Sequence, residues 1–99
     1  MFAVIYSFKV KMGHDQKFID SWEGLTKLIH EYEGSQGSRL HQMDHHYYIA
    51  YAQWPDKATW ENSGKKLPAE AEQYRDEMRS ACEKITTTHE LKVISDLLK

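Results

Sequence analysis

The hydrophobic period changes twice between residues 2 and 54, and the order of those changes limits the folds open to the chain. Phe2, Val4, Tyr6, Phe8 and Val10 alternate with Ala3, Ile5, Ser7 and Lys9, which is the period of a β-strand. From Asp15 the apolar spacing becomes three and four. Phe18, Trp22, Leu25, Ile29 and Tyr32 form a stripe, with Lys17, Asp20, Glu23, Lys27 and Glu31 turned away from it, as on an amphipathic helix. Asp15 is the expected N-cap and Gly34 the expected C′ residue. Period two returns in "SQGSRLHQM" and "HHYYIAYAQW", residues 35–43 and 45–54. These read as two strands joined at Asp44-His45, with Pro55 ending the second.

Beyond Pro55, Asp56 can cap a short helix holding Trp60, Gly64 breaks it, and Pro68 suits the first turn of a second long helix. The buried stripe of that helix is expected to be Ala71, Tyr74, Met78, Ala81, Cys82 and Ile85. The β-branched tail "TTTHELKVISDLL", residues 86–98, predicts a fourth strand. The order β-α-β-β-α-β predicts one α+β domain over residues 1–99, a ferredoxin-like fold with a four-stranded antiparallel sheet and helices on one face. Ala3, Ile5, Tyr47, Ile49 and Tyr51 make the other face apolar as well. A bare face of that kind would be an unusually large exposed patch, so a homodimer with sheets packed face to face is expected. Such a dimer also enlarges the small core available to a chain of 99 residues, which alone hides only about two-thirds of its unfolded surface.

Charge and cysteine usage narrow the function classes. Thirteen basic against fifteen acidic residues leave no excess with which to track a phosphate backbone, which argues against nucleic acid. "YYIAYAQW" also lacks the Lys/Arg and Gly of an RNA-binding strand. Cys82 is the sole cysteine, so the chain forms no internal disulfide and carries no sign of an oxidising compartment. The opening "MFAVIYSFKVK" is too briefly apolar for a signal sequence or a membrane span. A cytoplasmic location, with no membrane contact, is the expectation.

Residues 41–54, "HQMDHHYYIAYAQW", hold the densest concentration of chemically useful side chains. A metal site needs three or four converging ligands and usually a second shell. A two-residue loop would pair Met43 with His46 and His41 with Tyr48, leaving His41 and His46 diagonal at roughly 7 Å and no cysteine or second carboxylate at ligand spacing. No metal is expected. The same pairing sets Arg39 and His41 on the face of Tyr48, Ala50, Ala52 and Trp54, where the two alanines would leave a depression. If that is the helix-facing side, a mostly apolar pocket with a few polar groups results, as small-molecule sites require. The competing reading is that Tyr48 and Trp54 are simply core, Arg39 pairs with a carboxylate and His41 is a surface residue. No G-x-S-x-G elbow and no strand–GxGxxG–helix order is present.

The segments "YAQWPDKATWENSG", "MFAVIYSFKVKMG" and "EGSQGSRLH" resemble the antibiotic biosynthesis monooxygenase family over about residues 2–97, most strongly at Tyr51-Ala52-Gln53-Trp54. The resemblance implies a dimeric α/β barrel of ferredoxin-like subunits, each with a pocket between sheet and helices. In quinone-forming members oxygen enters an anthrone-type polyketide without metal, flavin or haem. Those members resemble this chain in the tryptophan at Trp54, an aromatic at Trp60 and a histidine near His41. They differ in an asparagine where Ala50 stands and a tyrosine where Trp60 stands. The Asn-Trp-His triad of the haem-degrading branch falls on Tyr6, Ser63 and Gln73, so the resemblance does not extend to haem degradation.

Together these readings predict a cofactor-independent oxygenase acting with O₂ on a small aromatic, phenolic or quinol-like molecule. His41 is the expected general base, Arg39 the group stabilising the substrate anion, and Trp54 a catalytic wall. Tyr6, Tyr48, Trp60, Trp22 and Tyr74 complete the expected substrate-binding set. The alternative is a non-catalytic dimeric module that uses the same pocket for an aromatic metabolite.

Overall fold

The computed structural model describes residues 1–98. Four strands, β1 (Phe2–Val10), β2 (Gly37–Asp44), β3 (Tyr47–Trp54) and β4 (Cys82–Lys92), form one sheet in the order β2-β3-β1-β4. All three pairings are antiparallel. Helices α1 (Asp15–Tyr32), α2 (Lys57–Glu61) and α3 (Glu70–Ala81) complete the ferredoxin-like α+β arrangement. No helix among the described residues is long and apolar enough to cross a membrane.

Alternation in the sequence becomes alternation in burial. Along β3, Tyr48, Ala50, Ala52 and Trp54 are buried, and the residues between them are half-buried. Opposite them Phe2, Val4 and Phe8 of β1 are buried too. Phe18 of α1 is fully enclosed, with its ring 4.9 Å from Phe8 and 5.1 Å from Tyr48 between centroids. Burial of one such ring stabilises by about 1.5–3 kcal/mol, so this aromatic triplet is the main tie between α1 and the sheet. Ser21, also buried in α1, turns its hydroxyl onto the Lys17 and Phe18 carbonyls at 2.8 and 3.0 Å, which removes the penalty of an unpaired polar group. Against α3, Gly24 lets the Tyr74 ring rest on the α1 backbone; a Cβ there would overlap the ring.

Three local expectations change. The second long helix stops at Ala81, so Cys82 and Ile85 belong to β4, opposite Val10 and Phe8. Extending the helix would leave that edge of β1 without hydrogen-bond partners, and Ile85 with Thr86, Thr87 and Thr88 is a β-branched run that suits a strand. At its other end β4 finishes at Lys92; residues 93–98 lie outside regular structure, with Ile94, Leu97 and Leu98 exposed. Asp15 is the first helical residue rather than the cap. His14 occupies the cap position without a side-chain bond, because the Asp15 carboxylate is engaged with the β2–β3 hairpin.

The hairpin itself differs most. Asp44 pairs with Tyr47 across a His45-His46 turn, and Met43 is an extra residue, since Gln42 pairs with Tyr48. Without that bulge Arg39 would pair with Ala52 and His41 with Ala50. With it Arg39 pairs with Tyr51 and His41 with Ile49. A one-residue slip moves every side chain to the opposite face. Arg39 and His41 are therefore exposed on the open face of the sheet, away from the helices, and the pocket-wall placement expected for them is corrected.

Candidate functional site

Between sheet and helices, beside the end of β3, lies an aromatic enclosure. Trp54 is 3% exposed and packs with Phe2, Val4 and Ala52, closed over by Tyr6, Ile29 and Trp60. The small side chains of Ala50 and Ala52 stand directly opposite Tyr6 and Val4, which lets these larger groups lean across β3. Trp60 comes from α2, whose start is fixed by the Asp56 carboxylate accepting from the Thr59 backbone N–H at 2.7 Å and its hydroxyl at 2.8 Å. The Trp60 and Phe2 rings stack tilted, with centroids 5.7 Å apart.

Two polar groups inside this enclosure define its chemistry. The Trp54 indole Nε1–H is fully buried and has no hydrogen-bond partner among the described residues. Buried donors are almost always satisfied, so an orphan of this kind calls for an explanation. The Tyr6 hydroxyl accepts from Trp60 Nε1 at 2.7 Å, and its own proton has no acceptor among the described residues. Burial pushes the Tyr6 phenol above its ordinary range, outweighing the bond from Trp60, and the nearby Glu90 carboxylate adds to the rise. Tyr6 is thus a neutral phenol at physiological pH: a donor and not a base. A ligand carrying a carbonyl or oxyanion would satisfy these two donors.

The remaining site candidates fall elsewhere. Trp22 and Tyr48 belong to the neighbouring cluster around Phe8 and Phe18, which Tyr6 also joins. Tyr74 packs with Leu25, Leu28 and Ala71 and lines an outer groove of about 310 Å³ between α1 and α3, with Asp20 and Glu70 on its rim. On the open face a second depression of about 450 Å³ is bordered by Ser7, Lys9, Tyr47, Lys84 and Thr86. The His41 Nδ1 lies 3.2 Å from the Ile49 carbonyl, the one side-chain hydrogen bond of this residue among the described residues. The expected set therefore separates into an enclosure with Trp54, Tyr6 and Trp60, an adjoining core with Trp22 and Tyr48, a half-buried place for Tyr74 between α1 and α3, and exposed positions for Arg39 and His41.

Two carboxylates that carry structural weight were not legible as such. Asp15 accepts from the Tyr48 hydroxyl at 2.6 Å and faces His46 Nδ1 at 2.9 Å. The hydrogen bond from Tyr48, and secondarily His46, holds the Asp15 carboxyl below its ordinary range, and the same bond pushes the Tyr48 phenol up to about 12. His46 needs this support, for it adopts a left-handed backbone with φ 62°, uncommon for a residue with a side chain. Glu33, 7% exposed, accepts from the Gly64 and Lys66 backbone N–H groups at 2.7 and 2.9 Å. A carboxylate at a helix C-terminus opposes the helix dipole, and this mismatch was the one signal in the sequence. Cys82, with its thiol pushed up to about 11 by burial, is not an activated nucleophile. No three potential metal ligands cluster among the described residues.

A four-stranded antiparallel sheet covered by helices on one face, with an aromatic cluster around Trp54 between the layers, defines a ferredoxin-like domain. The chain belongs to the antibiotic biosynthesis monooxygenase family: its sequence profile matches residues 1–75, in keeping with the resemblance drawn from Tyr51-Ala52-Gln53-Trp54. Similar solved structures include an asparagine-to-alanine mutant of SnoaB, a cofactor-independent oxygenase from Streptomyces nogalater. It is 12% identical with TM-score 0.77, over 99% of this chain and 97% of that one. Rv0793 from Mycobacterium tuberculosis is 11% identical with TM-score 0.76, over 98% of each chain. PA3566 from Pseudomonas aeruginosa is 17% identical with TM-score 0.74, over 95% and 94%. At these identities the likeness is one of fold. No curated protein matches the sequence at a significant level.

Proposed function

We propose that the protein is a cofactor-independent monooxygenase acting on a small phenolic or quinol-like aromatic held against Trp54. Family membership and the fold shared with SnoaB support the oxygenase class. The observation that carries the ligand reading is the buried, unpartnered Trp54 Nε1–H beside the Tyr6 hydroxyl. Ionised phenols and enols are electron-rich enough to pass an electron to O₂. Recombination gives a hydroperoxide, and loss of water leaves a new carbonyl, with one oxygen atom in the product and one in water. In this scheme the protein excludes solvent, stacks the ring on Trp54, Trp60 and Phe2, and stabilises the developing oxyanion through Trp54 Nε1–H and Tyr6 O–H. Tyr6 stands directly opposite Ala50, so a hydroxyl remains next to the position where quinone-forming members resemble this chain but carry asparagine.

One observation favours a second reading, a binding module without turnover. Phe2, Val4, Tyr6, Ile29, Ala52 and Trp60, the residues packed about Trp54, include no group basic enough to take a phenolic proton. His41 lies on the other face of the sheet. Oxygenation here relies on a substrate acidic enough to give up its proton to solvent before it is enclosed.

Oxygen uptake by metal-stripped protein with a panel of anthrones and hydroquinones separates the two. Turnover is expected, and Trp54→Phe, which keeps a ring and deletes the donor, should lower kcat by roughly 10²-fold or more. Thermal stabilisation by the same compounds without oxygen consumption would establish the binding module instead. We further propose that a second copy covers the open sheet face, where Ile5, Tyr47, Ile49 and Tyr51 are half-buried and Leu91 is 43% exposed.

A further inference from the structure

The Trp54 enclosure is shut by a segment that is lightly held. Helix α2 contributes no buried residue, and Trp60 reaches the sheet side through one hydrogen bond, its Nε1 donating to the Tyr6 hydroxyl at 2.7 Å. Residues 56–66 are fastened at two further places: a Lys57–Glu90 ion pair of 3.7 Å between side chains about half exposed, a kind that contributes little, and the turn at Gly64. Asp56, two residues from Trp54, caps α2 from within the segment through Thr59, so α2 can move as a unit where the chain leaves β3. At the other end Gly64, with φ +98°, and Lys66 donate their backbone N–H groups to one oxygen of Glu33. Glycine alone adopts that backbone region freely, which makes Gly64 a natural pivot. Between the two fixed ends, Ser63 bonds only within its own turn, its hydroxyl on the Trp60 carbonyl at 2.6 Å.

We infer that residues 56–66 form a gate over Trp54, latched by the Trp60–Tyr6 hydrogen bond and pivoting between Asp56, where the chain leaves β3, and the Glu33-held turn at Gly64. The enclosure is filled by its own side chains when Trp60 is docked, so a ligand reaches Trp54 Nε1 only after the gate swings. Opening also frees the Tyr6 oxygen from Trp60, and both of its hydrogen-bonding functions become available to the ligand. Glu33 is a positioning residue in this device: buried against the helix dipole, it spends its carboxylate on holding the pivot instead of on a charged partner. The inference shares its ligand with the function proposed above but not its oxygen chemistry, and the gate has a readout that needs no ligand.

That readout is hydrogen exchange at the three indole N–H groups of the full chain, followed by NMR, with the Val4 backbone amide in the central strand as marker of whole-molecule opening. Trp60→Phe keeps a ring but cuts the latch, and Tyr6→Phe cuts it from the other side. Each should speed exchange at Trp54 Nε1 roughly five- to tenfold, the factor for one lost hydrogen bond, while the Val4 amide stays unchanged. Exchange at Trp54 that is unaltered in both variants, or that rises only in step with Val4, would overturn the gate. A second measurement follows quenching of tryptophan fluorescence as 1,8-dihydroxyanthrone is mixed with each protein. Faster association in Trp60→Phe is expected. Selective exchange at Trp54 with no anthrone binding would support the gate and remove the ligand reading, so the two proposals fail separately.

Discussion

Asp15→Ala is the sharpest test of how the β2–β3 hairpin is fastened to α1. In the native chain one carboxylate serves two donors, Tyr48 Oη at 2.6 Å and His46 Nδ1 at 2.9 Å. Hydrogen bonds to a charged group are worth about 1.5–3 kcal/mol, and Tyr48, 6% exposed, cannot recover its loss from bulk water. The His46 contact is between groups 36% and 30% exposed and adds at most about 1 kcal/mol. A loss of about 2–3 kcal/mol is therefore expected at pH 7, measured by urea unfolding, with Asp15→Asn retaining about half through its neutral oxygen. The pH dependence has a fixed sign. The folded carboxyl is held below its unfolded value of about 3.9, so its contribution is complete above that value and disappears as pH falls through the folded one. Native and Asp15→Ala stabilities should converge under acid. At the other extreme the Tyr48 phenol is raised to about 12, so its share is complete below about pH 10 and is lost as pH rises through 12; Tyr48→Phe should remove that alkaline loss. A deficit under about 0.5 kcal/mol at pH 7, or one that is unchanged from pH 7 to strong acid, would refute the reasoning.

Three other outcomes follow from the geometry. Deleting Met43 removes only the bulged residue and leaves Arg39 opposite Tyr51, so it should cost under about 1 kcal/mol, whereas deleting Leu40 removes the one half-buried large apolar side chain of β2 and forces either His41 inward or a register slip, and should cost several times more; differential scanning calorimetry separates the two. Gly24→Ala forces a methyl into the Tyr74 ring and should destabilise by about 1–3 kcal/mol in chemical denaturation, with Tyr74→Leu restoring part of the loss. Ile49→Lys, placed on the half-buried open face, should convert a dimer to a monomer in light scattering with the helical circular dichroism preserved; a monomer in both proteins would argue against a covering copy.

Much of the architecture follows from local periodicity. The alternation at Phe2–Val10 and Tyr47–Trp54 set the two strands and which residues share a face, because successive side chains of a pleated strand point to opposite sides. The three-four stripe at Phe18, Trp22, Leu25 and Ile29 set α1 and its inward side. The Asp56 cap and the break at Gly64 were visible as residue chemistry, and Trp54 stood out through Tyr51-Ala52-Gln53-Trp54. The boundary at Ala81–Cys82 was not visible, because the same apolar residues satisfy a helical stripe and the start of a strand. Only the need of Val10 and Phe8 for partners decides between them.

The placement of Arg39 and His41 marks the division most clearly. Strand β2 offers one half-buried large apolar side chain, Leu40, and turning Leu40 toward the helices already sends its two neighbours outward. That cue was weak, since the open face is apolar too and would accept Leu40. The extra residue at Met43 then settles the parity. A bulge leaves the alternation intact on each side of itself, so no local pattern records it; it exists only in the pairing of β2 with β3. The sequence alone thus determined the order of elements, which residues of the two central strands share a face, and the aromatic residues available for a site. Tertiary structure decided which polar groups meet them. It brought Tyr6 and Trp60 together across 54 residues, sent Arg39 and His41 to the opposite face, and left the Trp54 indole N–H without a partner among the described residues, because register and long-range contact depend on strand pairing that no single segment contains.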